Sequence, residues 1–220
     1  MMGLFDILKN LDEQQEKEVI TVARESISTE KEREYCMWVK PTEEGWQWLF
    51  GQTGETFLDV IMPVVNGKRR VRLSTDKTAV LTLKRQASDG RIEENSDIGF
   101  ASGLTFYEDG NLAHLVRRIK LEPGELAEQG AKHWDIDLFF KLAGHPVIES
   151  QAGFEDLVNE LRDSTTFGEW VKVELEVERF ELTSIKDVLP FAVEDAIPGN
   201  PSDVESQLVI SNYWDNETRI

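Results

Sequence analysis

The stretch Trp170-Val171-Lys172-Val173-Glu174-Leu175-Glu176-Val177-Glu178 decides how this chain is read. Successive residues of a strand point to opposite faces of a sheet. One face of this segment is Val171, Val173, Leu175 and Val177, and the other is Lys172, Glu174, Glu176 and Glu178. The alternation recurs upstream. Trp134-Asp135-Ile136-Asp137-Leu138-Phe139 carries two acids on one face. Glu32 and Glu34 form another acidic pair, and Arg70 and Arg72 a basic pair with Val71 and Leu73 opposite. Thr82 and Lys84 share a face against Leu81 and Leu83. Arg91, Glu93 and Asn95 share another, and Arg118 and Lys120 face away from Leu115, Ile119 and Leu121.

One such strand fits an ordinary sheet with its charged face in water. Nearly every strand of this chain, however, repeats acids or bases at i and i+2, where solvated faces usually mix Thr, Ser, Gln and Lys. Taken together, the segments predict a closed antiparallel β-barrel, its apolar face outward against helices and its charged face lining a lumen. A lumen holding acids and bases together suits a metal-bridged polyphosphate. Carboxylates hold Mg²⁺ or Mn²⁺, and Arg and Lys hold phosphate oxygens.

The rest of the chain is consistent with an antiparallel-rich α+β domain. Leu4, Leu8 and Leu11, then Val19, Ile20 and Ala23, fall near the helical period, so residues 4–27 are expected to be a helix. This N-terminal extension, residues 1–29, either caps the fold or docks on a protein partner. Strands are expected through residues 30–85, with turns at Gly51, Gly54, Asn66-Gly67 and Asp76, and again at 91–98, 115–121, 134–140 and 170–180. Phe154, Leu157, Val158 and Leu161 mark an amphipathic helix, and residues 186–220, with Pro190, Pro198 and Pro201, read as loop with short elements.

Composition narrows the function classes. The 220 residues suffice for one domain with a core that needs no disulfide. Acids outnumber bases 42 to 24, a formal charge of −18, which argues against binding long nucleic acid or anionic membranes. The single cysteine, Cys36, excludes an internal disulfide and multi-cysteine metal sites. No apolar run approaches 18 residues, and Met1-Met2-Gly3-Leu4-Phe5-Asp6 has no basic lead, so a soluble cytoplasmic protein is expected.

In order and spacing, the charged segments resemble the CYTH family of triphosphate tunnel metalloenzymes over about residues 30–200. The family's ExExK strand corresponds to Glu32-Arg33-Glu34-Tyr35-Cys36, its RxR strand to Arg70-Val71-Arg72, and its LTxK strand to Leu81-Thr82-Leu83-Lys84. Its RxExExxI motif corresponds to Arg91-Ile92-Glu93-Glu94-Asn95-Ser96-Asp97-Ile98, and its later tunnel arginine to Arg118. Its last two motif strands correspond to Trp134–Phe139 and Val173–Glu178. Cys36 stands where the family has Lys, and Asn95 where it has Glu. Residues 141–169 read as a helical insertion in a tunnel domain of residues 30–220.

The resemblance implies a divalent-metal-dependent triphosphatase acting on inorganic triphosphate, a nucleoside triphosphate or a related small polyphosphate. It implies Glu32, Glu34, Glu174 and Glu176 as metal ligands for Mg²⁺ or Mn²⁺. It implies Arg70, Arg72, Lys84, Arg91 and Arg118 as phosphate contacts. Glu93 or Asp137 holds a second metal or orients the attacking water. An adenylyl-cyclase-like activity is the alternative within the family. A tunnel that binds nucleotide or polyphosphate without turnover is the alternative that Cys36 and Asn95 suggest.

Other residues carry no chemistry at this stage. His114, His133 and His145 lack a metal-ligand spacing and are expected to be surface or packing residues. Cys36 has no His–Asp pairing that would make it a nucleophile. The glycine-rich pieces 51–54 and 101–103 lack a phosphate-binding fingerprint and read as turns. Trp38, Trp46 and Trp48 are expected to pack a helix against the barrel.

Overall fold

The computed structural model describes residues 28–32, 34–64, 67–76, 78–87, 90–108, 112–142, 146–178 and 186–199. The expected helix of residues 4–27 and the chain beyond residue 199 lie outside the described residues. Ten strands form one sheet: β1 (Ser28–Glu32), β2 (Glu34–Pro41), β3 (Glu55–Val64), β4 (Gly67–Ser74), β5 (Ala79–Ala87), β6 (Gly90–Asp97), β7 (Leu112–Leu121), β8 (Ala131–Phe140), β9 (Phe167–Val177) and β10 (Val193–Gly199). Their order is β1-β6-β5-β4-β3-β7-β8-β9-β2-β10, and every neighbouring pair is antiparallel. Among the described residues three short α-helices accompany it: α1 (Glu43–Phe50), α2 (Phe100–Glu108) and α3 (Gln151–Glu160).

The expected closed barrel is not formed. β1 pairs only with β6, and β10 only with β2, so the described sheet is open at both ends. The reason lies in how the edge of β2 is used. β2 pairs with β9 on one side, and β10 takes its other edge through Cys36–Pro41. On its outer edge β6 therefore meets only the five residues of β1, which a single residue separates from β2, and does not continue along β2. With three short α-helices on a ten-stranded sheet, the described part of the chain is mostly sheet rather than an evenly mixed α+β fold.

Open is not flat. β5 and β2 stand six places apart in the order, about 29 Å on a flat sheet. Yet Lys84 Nζ of β5 lies 4.0 Å from Glu34 Oε2 of β2. The sheet therefore curls until its two halves face each other across their charged side chains.

The opposite face is apolar, and the alternation read from the sequence holds strand by strand. Val171, Val173 and Leu175 of β9 are fully buried with Trp134, Ile136 and Leu138 of β8 and Leu49 of α1. A second cluster joins Leu58 and Val60 of β3, Val71 and Leu73 of β4, Leu104 of α2 and Phe154 of α3. α3 begins at the N-cap Ser150, whose Oγ accepts the Gly153 N–H at 3.2 Å, and its Phe154 ring packs 5.8 Å from Phe100.

Two helices fall where the sequence suggested strand or turn. α1 begins at the N-cap Thr42 within the expected strand run, because Thr42 Oγ1 accepts the Gly45 N–H. Trp46 of α1 stacks with Phe50 and Phe167, and Trp48 with Phe191. α2 covers the expected turn at 101–103, and Gly103 lets it settle directly on β4 and β5. A Cβ at Gly103 would lie 2.7 Å from Ala79 Cβ.

Candidate functional site

The inward face of the curled sheet has two zones. One is apolar: Trp38 of β2, Phe57 of β3, Val116 of β7 and Phe139 of β8 form a buried cluster, with the Trp38 and Phe139 rings 5.4 Å apart. Trp38 thus packs inside the curl, unlike the helix-packing Trp46 and Trp48. His114, fully buried, meets Phe139 edge-on at 5.8 Å. The other zone is a charged cleft lined by Glu34, Arg70, Lys84, Glu93, Arg118, His133, Asp135, Lys172, Glu174 and Glu176. Seven strands contribute to it.

Strand register explains the convergence. Arg118 of β7 is the direct partner of Asp137 on β8, Asp135 that of Glu174 on β9, and Glu34 of β2 that of Glu176. On the far side Lys84 of β5 opposes Glu93 of β6, and Thr82 opposes Asn95. Arg118–Asp137 and Lys84–Glu93 are opposite charges that stabilise the sheet, whereas Asp135–Glu174 and Glu34–Glu176 set acid against acid. Arg118, bonded to Asp135 and 3.6 Å from Glu174, and Lys84, 4.0 Å from Glu34, offset that repulsion.

Arg118 is the most heavily engaged cation. Its Nε and Nη2 donate to Asp137 at 2.6 and 2.7 Å, and its Nη1 donates to Asp135 Oδ2 at 2.8 Å. Glu174 Oε2 lies 3.6 Å from its Nη2. Burial alone would lower the pKa of this guanidinium, but Asp137, Asp135 and Glu174 together drive it well above the ordinary value. Asp137 does not line the cleft; it holds Arg118 in place.

Glu174 also forms an ion pair with Lys172. Burial by itself pushes the Glu174 carboxyl up, but Lys172 first, then Arg118 and Lys84, hold it well below the usual carboxylate range. Lys172 is likewise buried, and desolvation alone would discharge it, but Glu174 together with Cys36, Asp137 and Glu34 holds its pKa above the ordinary value. Lys172 also sits against Cys36 and so brings an ammonium next to the position where the resembled motif has its own lysine. Burial, despite Lys172 and reinforced by Glu174, Glu34 and Asp137, pushes the Cys36 thiol up to about 12. The thiol is therefore neutral and a poor nucleophile.

On the opposite wall runs a hydrogen-bond chain. Arg70 Nη2 donates to Thr82 Oγ1 at 3.5 Å, Thr82 Oγ1 donates to Asn95 Oδ1 at 2.7 Å, and Asn95 Nδ2 donates to Glu93 Oε1 at 2.8 Å. Glu93 Oε2 in turn lies 2.5 Å from Lys84 Nζ. Asn95 serves where a carboxylate could not, because it accepts at one end of its amide and donates at the other. Arg72 is occupied elsewhere: its Nε and Nη2 each donate to Asp59 at 2.8 Å, and its guanidinium lies 3.4 Å over the Phe57 ring.

The structure thus brings Glu34, Arg70, Lys84, Glu93, Arg118, Glu174 and Glu176 to one cleft, as the sequence suggested, while Arg72 and Asp137 stand beside it. Glu32 and Arg91 are backbone partners across β1 and β6, and their side chains lie outside the described residues. Sequence reasoning missed three residues of the cleft, Lys172, Asp135 and His133, and Asp59 beside it. Lys172 and Asp135 were legible as face-mates of Glu174 and Asp137. Asp59, an acid within the apolar run that follows Thr56 in β3, signalled a buried partner. His133 sits with its Nε2 3.2 Å from Glu176 Oε2 and 3.7 Å from Asp135 Oδ1. It shares the face of Asp135 and Asp137 but precedes the expected start of that strand at residue 134.

The carboxylates are the right kind of donor for a hard cation. Of the four expected ligands, Glu34, Glu174 and Glu176 are described, and the side chain of Glu32 lies outside the described residues. Among the described residues no group of three or more His, Cys, Asp or Glu side chains is placed to hold a metal. Glu174 is held by Lys172 and Arg118, and Glu176 pairs with Lys132 at 2.7 Å as well as with His133. No family model matches the chain, and no curated protein matches it.

Proposed function

We propose that the cleft binds a small polyphosphate, either inorganic triphosphate or a nucleoside triphosphate, delivered as its Mg²⁺ or Mn²⁺ complex, and hydrolyses a terminal phosphoanhydride. The observation that carries this reading is the convergence of Arg70, Lys84, Arg118 and Lys172 from four strands into one cleft interleaved with carboxylates. Such a set matches an elongated polyanion better than a single charge. Four cations against Glu34, Glu93, Asp135, Glu174 and Glu176 leave the cleft slightly acidic, so a bare polyanion is disfavoured. A metal complex carries less negative charge and relieves that repulsion. The metal belongs to the substrate in this reading.

The chain's own contribution is positional. Asp137 and Asp135 fix the Arg118 fork, Glu93 fixes Lys84, and Glu174 fixes Lys172, so the cations are preorganised before substrate arrives. The exterior acidity would repel a long polyanion and admit a short one. A cytoplasmic location is part of the same proposal, since a chain whose one cysteine is free needs no oxidising compartment.

A phosphate-release screen over tripolyphosphate, nucleoside triphosphates and long-chain polyphosphate, with Mg²⁺ and Mn²⁺, tests the reading. Release from a short substrate supports it, and cyclic nucleotide as the product of ATP would replace it with a cyclase. Binding without turnover is a second reading. It is favoured by one observation, that Glu174 and Glu93 are each already committed to a protein cation.

A further inference from the structure

Arg70 and Arg72 lie two apart on β4 and share a face, yet their surroundings differ. Arg72 donates twice to Asp59 at 2.8 Å, lies over Phe57, and does not line the cleft. Arg70 lines the cleft. Its Nη1 is 3.7 Å from Asp59 Oδ2, beyond hydrogen-bonding range, and its Nη2 reaches Thr82 Oγ1 only at 3.5 Å. Its Nε–H is buried with no hydrogen-bond partner among the described residues. The other cations of the cleft have close carboxylate partners: Arg118 with Asp137 and Asp135, Lys84 with Glu93, Lys172 with Glu174. A buried donor without a partner is costly, and a guanidinium offers five donors in a planar fork.

We propose that Arg70 is the phosphate-contacting guanidinium of the β4 pair, and that Arg72 is a positioning residue that occupies Asp59 and so keeps Arg70 uncommitted. The proposal rests on the polyphosphate reading and assigns different roles to two arginines that the sequence presents as equivalent. Arg72 takes both Asp59 oxygens at short range and leaves Arg70 only the long contact. Without Arg72, Asp59 would turn to Arg70, the nearest remaining cation, and compete with phosphate for it. Burial most of all, and then the charge of Arg70, lowers the Arg72 pKa, while Asp59 acts against both.

Calorimetric titration of the full chain with inorganic tripolyphosphate, with and without Mg²⁺ at fixed ionic strength, tests this. Arg70→Gln is expected to weaken binding at least tenfold, and Arg70→Lys to recover only part of it, because Lys lacks the planar fork. Arg72→Gln is expected to weaken binding too, and Asp59→Asn added to it should return the affinity to within about threefold of wild type. A purely structural role for Arg72 would not produce that rescue. Unchanged binding by Arg70→Gln overturns the proposal, as does a double variant as weak as Arg72→Gln alone. If Arg72→Gln does not fold, the Arg70 variants decide. A wild-type chain that binds no tripolyphosphate sinks the polyphosphate reading itself, and this proposal with it. Wild-type binding that ignores Arg70 sinks this proposal alone.

Discussion

Arg118 and Asp137 face each other as register partners across β7 and β8 and are joined by two hydrogen bonds, at 2.6 and 2.7 Å. Their side chains are only 17% and 6% exposed. A guanidinium so desolvated needs its carboxylates, and the alignment of the two strands supplies them before any ligand is present. The charges of the cleft are therefore structural in the free protein as well as a means of recognition.

Asp137→Asn should lower the unfolding free energy by about 3 kcal/mol, because it strips one charge from a buried pair and leaves the other. Asp135 and Glu174 remain near Arg118 and keep the loss from being larger. Urea denaturation read by tryptophan fluorescence measures this, and a loss below about 1 kcal/mol would show that Asp135 and Glu174 suffice.

Acid should weaken the fold through Glu174. Its folded pKa is depressed, chiefly by Lys172 acting against burial, so its stabilisation is present above the unfolded carboxylate value near 4.5. That stabilisation is lost as pH falls from there toward the depressed folded value. Stability against pH, followed by urea midpoints from pH 7 downward, should fall most steeply below about 4.5. Glu174→Gln should be less stable at pH 7 and lose less on acidification. Parallel curves for the two proteins would contradict the assignment.

Asn95→Asp removes the donor that Asn95 offers Glu93 and places a second carboxylate beside it. A cost of about 1–3 kcal/mol is expected at pH 7. The deficit should shrink on mild acidification, as one of the two carboxyls takes up a proton. Denaturation midpoints at pH 7 and pH 5 measure both effects, and wild-type stability at pH 7 would mean that the chain from Thr82 to Glu93 contributes nothing.

Cys36 should resist alkylation in the native state. Its thiol is pushed up to about 12, mainly by burial, and at pH 8 almost none of it is thiolate. Iodoacetamide labelling at pH 8 should accelerate at least about a hundredfold on unfolding in urea. Equal rates in the folded and unfolded chain would place the thiol outside the curl.

Gly103→Ala should destabilise, although alanine is the better helix former by about 1 kcal/mol. The added methyl would lie 2.7 Å from Ala79 Cβ and 3.3 Å from Val71 Cγ1, and the buried sheet beneath cannot yield easily. A net loss of about 1–3 kcal/mol is expected. Thermal unfolding settles the sign, and a rise in Tm would mean that α2 lifts from the sheet at little cost.

The sequence by itself determined which face each strand shows. In β8 and β9, acids and bases alternate with Val, Ile and Leu at period two, and one face must leave water. That periodicity also identified Glu34, Lys84, Arg118, Glu174 and Glu176 as face-mates, since parity along a strand is local. Only the tertiary structure decided how the edges are used. The sheet stays open because β10 takes the free edge of β2, and edge pairing is set by backbone groups that no side-chain pattern reports. The helices α1 and α2 formed inside segments read as strand and turn, because capping at Thr42 and the close fit of Gly103 against β4 and β5 outweighed local propensity. The division between Arg70 and Arg72 was likewise invisible in the motif. It depends on Asp59, a residue on the neighbouring strand, which stands directly opposite Arg72 and two residues off register from Arg70.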